Sequence, residues 1–190
     1  VYAGSGAATT VDSGALKPQI NSWHYNWQPH GAPIGYAAID ARLRAGEPLA
    51  VAELEPDRIA VREPGSLTAA QPAPAGHVAA FGGLWLLNAD VSRDGDHLTV
   101  VSRWYVSRPI LGDPRLRVEL RAAGGKVLAA RTGYALDGFS PPRLWQPGDL
   151  IEDREVFALP GTRDPAGARI GLVDTSGALL GGWVTAGSTP

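Results

Sequence analysis

The sequence predicts an all-β fold: an antiparallel immunoglobulin-like β-sandwich of about seven strands, preceded by an N-terminal extension that carries one short helix. Three observations carry this expectation. Turn-forming residues are dense, with 24 Gly and 16 Pro in 190 residues, which suits many short strands joined by tight turns. Several runs alternate apolar and polar residues with a period of two, as a half-buried strand requires. A Trp145-Gln146-Pro147-Gly148-Asp149 corner then feeds a run that ends at Leu159-Pro160. A large aromatic before a Pro-Gly turn anchors the turn while the chain is redirected into a sheet.

A chain of this length can bury a sizeable core without covalent staples. None are available, because Cys is 0, which also excludes thiolate metal sites, thiol nucleophiles and disulfide switching. Met is 0 as well, and the chain begins Val1-Tyr2-Ala3-Gly4. The expectation is a processed piece, freed of an export signal or cut from a longer precursor, with a trimmed domain boundary as the alternative. No run reaches the ~20 apolar residues of a membrane span. With 17 Lys+Arg against 19 Asp+Glu the net charge is -2. No basic block marks a phosphate-binding footprint, so nucleic acid is not an expected partner.

Taken in order, residues 1–16 are small and polar and read as a flexible arm. Residues 17–62 form an extension. Within it Trp23, Tyr25 and Trp27 alternate beside His24 and His30, so the three aromatics would share one side of an extended segment. Pro33 to Arg44 predicts a helix, with Ile34, Ala38 and Leu43 near one face, Pro33 suited to its first turn and Gly46 to its end. Two apolar runs flank Glu55-Pro56-Asp57 and predict a strand pair. Residues 63–76, rich in Pro, Ala and Gly, read as a linker, which puts the boundary of the sandwich domain, 77–187, after them.

From His77 the pattern is β throughout. Phe81 to Val91 predicts one strand. Leu98, Val100, Ser102, Trp104 and Val106 fall on one side of the next, and Thr99, Val101, Arg103 and Tyr105 on the other. Leu116, Val118, Leu120 and Ala122 should face inward, leaving Arg117, Glu119 and Arg121 outside. Gly124-Gly125 turns that strand into Val127 to Tyr134 as a hairpin. Leu150 to Leu159, Ala168 to Val173 and Ala178 to Val184 complete the set, the last two joined by a turn at Asp174 to Gly177.

The series LTVVSRWYV at 98–106, VELRAAGGKVLAAR at 118–131, LWQPGDLIEDREVFALP at 144–160 and ARIGLVDTSGALL at 168–180 resembles the extracytoplasmic β-sandwich at the C-terminal end of bacterial multi-spanning glycosyltransferases. These are membrane enzymes similar to the dolichyl-phosphate-mannose protein mannosyltransferases. The resemblance covers about 81–182, and its motifs are structural. It implies a sandwich outside the cytoplasm, beside a membrane complex. The acidic residues that such transferases use belong to loops between membrane helices, so the resemblance implies no catalytic residue here.

The residues themselves supply no reactive constellation. There is no Gly-x-Ser-x-Gly elbow and no phosphate loop. His24, His30, His77 and His97 are scattered, without the convergence of a metal site, and the turn acids Asp94, Asp96, Asp149, Glu152, Asp153 and Asp174 lack the spacing of a calcium loop. No cofactor is expected. Trp145, Pro147, Gly148 and Asp149 read as a structural corner, with sugar stacking on Trp145 as the other reading. Trp23, Tyr25, Trp27, His24 and His30 are the candidate partner- or glycan-binding patch, or else a lid on the sandwich. The expected function is a non-catalytic periplasmic or extracellular scaffold subunit with protein partners in a membrane-embedded complex. The alternatives are a carbohydrate-binding module and the soluble part of a membrane glycosyltransferase.

Overall fold

In the computed structural model, residues 2–4, 7–9, 35–54, 59–159 and 165–188 are described. The described residues are mostly β, with one short helix, α1 at Tyr36–Arg44. A small sheet is built from β1 (Tyr2–Gly4), β2 (Ala7–Thr9), β3 (Val51–Leu54) and β4 (Ile59–Arg62) in the order β2-β1-β3-β4. The strand pair expected around Glu55-Pro56-Asp57 is β3 and β4, paired antiparallel from Val51↔Arg62 to Leu54↔Ile59. The turn itself lies outside the described residues. Two parts of the segment expected as an arm are strands, and Tyr2 pairs with Val51.

The larger sheet is curled and mixed. Its members are β5 (Gly65–Thr68), β6 (Ala79–Phe81), β7 (Leu84–Asp94), β8 (His97–Val106), β9 (Arg115–Arg121), β10 (Val127–Gly133), β11 (Leu150–Ala158), β12 (Gly167–Val173) and β13 (Leu179–Ser188). The path runs β10-β9-β12-β13-β7-β8-β11-β5, with β6 paired to β7. Three expectations need correction. The sheet is not purely antiparallel, because the end of β13 runs parallel to β7 at Gly187↔Asp90 and Ser188↔Val91. Phe81 to Val91 is not one strand: Gly82, at φ 61°, turns β6 into β7 as a tight hairpin.

The third correction concerns the stretch 63–76, which is not a spacer along its length. Gly65 to Thr68 is an edge strand on β11, paired from Leu150↔Thr68 to Asp153↔Gly65, and Leu67 is buried. A short strand needs only local apolar and small residues when a neighbour supplies its hydrogen bonds, so its Pro- and Gly-rich flanks hid it. Gly65 is required there. Its φ of 131° suits glycine, and a Cβ would stand 1.9 Å from the Glu152 carbonyl oxygen.

Helix α1 starts at Gly35 and closes on Gly46. The Gly46 amide donates to Leu43 and the Glu47 amide to Arg42, with Gly46 at φ 81°, the paired bonds of a Schellman ending. Its buried face is Ile39 and Leu43. Ala38, expected on that face, is exposed, because helical spacing pairs Leu43 with a residue four before it rather than five. Pro33 and Ile34 lie outside the described residues.

One core serves the whole curl. Leu98, Val100, Trp104 and Val106 from β8 and Ile151 and Phe157 from β11 join Leu116, Val118 and Leu120 from β9 and Ile170 and Leu172 from β12. Burial of each such side chain is worth about 1.5–3 kcal/mol. Ser102, a polar residue on the inward side of β8, accepts the Trp104 indole N–H at 2.9 Å, so neither polar group is left alone in the core.

Candidate functional site

The aromatic patch of Trp23, Tyr25, Trp27, His24 and His30 lies outside the described residues. The corner does not. After a short 3-10 turn at Pro142–Leu144, Trp145 is buried, and its indole N–H donates to Ser140 Oγ at 2.8 Å. Gly148, at φ 94°, donates to the Val106 carbonyl and accepts from the Gln71 amide. Asp149, 1% exposed, accepts from the Gln146 amide at 2.6 Å and from both terminal nitrogens of Arg44 at 2.7 Å. Arg44 also donates to the Leu144 carbonyl and pairs with Asp40. The corner thus ties α1 to the sheet, and Trp145 presents no face to a ligand.

The turn acids divide by environment. Asp174 accepts from the Ser176 hydroxyl and from the Ser176 and Ala178 amides. The Ser176 hydroxyl bond first, and then the backbone bonds, hold its carboxyl below the usual range. Among the described residues no group of three or more His, Asp or Glu side chains could hold a metal ion.

Two inward positions of β11 are acidic, which alternation makes visible in Ile151, Asp153, Glu155, Phe157 once the strand's burial is known. Asp153 is 1% exposed and accepts the Leu136 amide at 2.7 Å, while its second oxygen has no hydrogen-bond partner. Burial, then the neighbouring Glu155 charge, push the Asp153 carboxyl well up. Burial also raises Glu155, against the pull of Arg131 at 3.2 Å. Asp137 joins the cluster through Arg62 at 2.9 Å. It sits in a loop where Leu136 and Asp137 both take positive φ, near 56° and 58°, a left-handed region unusual for such residues.

On the other side of the same strands the residues form rows. Trp85, Tyr105, Leu150 and Thr68 face each other across four strands, and Asn88, Arg103, Glu152 and Ser66 make the next row. A groove of about 610 Å³ lies over part of these rows, lined by Ser66, Thr68, Leu87, Asn88, Arg103, Leu150 and Glu152. His77 stacks on Trp85 with ring centres 4.6 Å apart, and Trp85 lies 5.7 Å from Tyr105. Arg103 donates to Glu152 at 2.8 Å, a bond that chiefly holds the Glu152 carboxyl below its ordinary range. Neither Asp153 nor Glu155 lines this groove. The arrangement offers flat aromatic surface, an amide, a guanidinium and a carboxylate, which is recognition chemistry.

A third cluster sits on β9 and β12. Glu119, expected outside, is 3% exposed because arginines roof it: Arg117 donates at 3.0 Å and Arg169 at 2.8 Å. Burial alone would raise its carboxyl, but the Arg169 and Arg117 bonds outweigh that and hold it low. The sequence signal for the cluster was the alternation of arginines in β9. Arg169, fifty residues away, needed the register.

The sequence matches no protein-family model and no curated protein. Among solved structures it is similar to an endonuclease/exonuclease/phosphatase from Beutenbergia cavernae DSM 12333, at 20% identity over 67% of this chain. The match spans 29% of that protein's length at a TM-score of 0.30. So low a score supports neither a shared fold nor a shared activity.

Proposed function

We propose that this chain is a non-catalytic extracytoplasmic interaction module, docked on or derived from a membrane protein complex, whose working surface is the outer face of β7, β8, β11 and β5. The observation that carries the reading is the groove lined by Asn88, Arg103 and Glu152, together with the His77-Trp85 stack in the adjacent row of the same sheet face. Aromatics and arginine around a shaped recess are the anchors of protein interfaces. The resemblance to the extracytoplasmic end of multi-spanning glycosyltransferases supports the location. The finer fold reading, an immunoglobulin-like sandwich with the two halves of the curled sheet as its layers, belongs to the same proposal. It is supported by the single core that β8 and β11 share with β9 and β12.

A photo-crosslinker in place of Arg103, introduced into the protein in its native cell, tests the reading. The expected result is one defined protein adduct that Trp85→Ala diminishes at least about tenfold, since anchor residues carry most of an interface's energy. A chain that forms no adduct and migrates alone would remove the proposal's support. An indole beside an amide and a carboxylate also suits a saccharide. Saturable quenching of tryptophan fluorescence by cell-wall glycan fragments, lost in Trp85→Ala, would replace the protein partner with a glycan.

A further inference from the structure

We infer that the opposite face of the molecule, the outer side of β9, β10, β12 and β13, is a docking surface for an extended acidic polypeptide segment that pairs along the edge strand β10. The chain as a whole is acidic, at -2. These four strands are not. Their sequences, RLRVELR, VLAARTG, GARIGLV and LLGGWVTAGS, hold five arginines and a single acid, Glu119. Arg131 leaves this face, turning to Glu155 and lying 5.4 Å over the Phe157 ring. The alternation of β9 puts Arg115, Arg117 and Arg121 on the outer side with Glu119, and the register places Arg169 directly beside Glu119.

One carboxylate therefore stands among several guanidiniums. Arg117 and Arg169 bind Glu119 closely, while Arg121 is 4.0 Å away. Two carboxylate oxygens cannot neutralise three guanidiniums, so positive charge is left over at a half-exposed face, where it attracts carboxylates. The face is also preorganised. The Arg169 guanidinium lies 3.9 Å over the Trp183 ring. That ring lies flat on β12 because Gly171 has no side chain: a Cβ there would meet Leu179 at 2.9 Å and Trp183 at 3.1 Å.

The edge selects an extended peptide over other anions. Among the described residues β10 is paired on one side only, with β9. Its residues opposite Glu119 and Arg117 are Ala130 and Thr132, both small and exposed. A strand added to this edge lies about 5 Å from β10 and about 10 Å from β9. A glutamate side chain on it can reach Arg117 across Thr132, which is too short to block it, and another can approach Arg121 past Val127 at the start of β10. Acidic residues at alternate positions recur every ~6.7 Å, which is the spacing of Arg115 and Arg117 and half the distance from Arg117 to Arg121.

The test uses the full chain and a labelled peptide of alternating Thr and Glu, with its Thr-Gln counterpart, dextran sulfate and phosphatidylglycerol vesicles as comparisons. Fluorescence anisotropy at low salt should show the Glu peptide binding at least about tenfold more tightly than the Gln peptide, as charge complementarity predicts. The double variant R117Q/R121Q leaves the Arg169-Glu119 pair in place, and Thr132→Glu adds repulsion at an exposed site. Each should weaken the Glu peptide by about tenfold, and Thr132→Glu, which touches no buried pair, should do so while the melting temperature holds. Amide exchange on β10 should slow in the complex. Equal affinity for the Gln peptide, unchanged binding in both variants, no slowing on β10, or binding of dextran sulfate or vesicles in place of the peptide would each overturn the inference.

Discussion

Asp149 shows how one side chain can belong to two layers of structure. Its carboxylate caps the Pro-Gly corner through the Gln146 amide and receives a two-pronged bond from Arg44, 105 positions earlier. The aspartate is almost fully buried and the arginine is partly so. Removing one member of such a pair leaves the other desolvated and alone, which costs more than the intact pair contributes. Asp149→Ala is expected to lower stability by about 2–4 kcal/mol, read as a shift in urea midpoint. Arg44→Met should cost at least as much, because it leaves the buried carboxylate with only the Gln146 amide, whereas Arg44 without Asp149 keeps Asp40 and the Leu144 carbonyl. Equal, negligible effects would show that the pair is solvated and the corner self-sufficient. The corner itself was legible in the sequence, since Trp, Pro and Gly announce a turn wherever they stand together. Arg44 as its partner was not, because nothing in a nine-residue helix names a carboxylate a hundred residues on.

Among the elements, β5 is the one that local pattern concealed. Four residues between prolines carry no measurable period, and the strand exists because β11 offers it a ladder and Gly65 lets the two backbones approach. Gly65→Ala is expected to detach β5, costing on the order of 3 kcal/mol from strain and from exposure of Leu67. Hydrogen exchange at Ser66 to Thr68 should quicken more than exchange on β8. Uniform quickening would mean that β5 is part of the cooperative whole, and no quickening would remove Gly65 from its role. The long strands behaved otherwise. The inward set Leu98, Val100, Ser102, Trp104 and Val106 was readable from period alone and is buried, but Tyr105, expected on the other side, is buried as well. The same alternation in β9 was readable for its apolar residues, yet it placed Glu119 in solvent. Arg169, which covers that carboxylate, arrives on another strand.

For the molecule as a whole, the acids inside β11 make stability fall as pH rises above the range in which the lowered carboxyls of Glu119, Glu152 and Asp174 titrate. The Asp153 and Glu155 carboxyls are both raised by burial. Asp153 faces Glu155, Asp137, Arg62 and the Leu136 amide, and Glu155 faces Arg131, Asp137 and Arg62. A raised carboxyl means that the folded chain holds more protons than the unfolded one between the unfolded value, near 4, and the folded value. Stability is therefore fully present below about pH 4 for these two groups and is lost as pH rises through their folded values, by up to about 1.4 kcal/mol per unit for each proton. Urea melts across pH 4 to 8 should show this decline. Asp153→Asn, which keeps the acceptor for Leu136 and drops the charge, should raise stability at pH 8 and flatten the profile. A profile that climbs with pH in the wild-type chain and is unchanged in the variant would mean that Asp153 ionises freely.

Period, turn chemistry and composition are local quantities, and the features they dictate unaided are present among the described residues at the coarse level: mostly β structure, a short helix closed at Gly46, the β3-β4 pair, and the apolar inward faces of the long strands. Partner choice is not local. The parallel meeting of β13 with β7, the capture of β5, the roofing of Glu119 by arginines from two strands, and the groove over Asn88 and Arg103 all depend on which strands become neighbours and in what register. A hydrogen-bond ladder accepts any backbone that fits. The neighbour is then selected by packing of the shared core and by pairing of charges that the chain brings together from far apart.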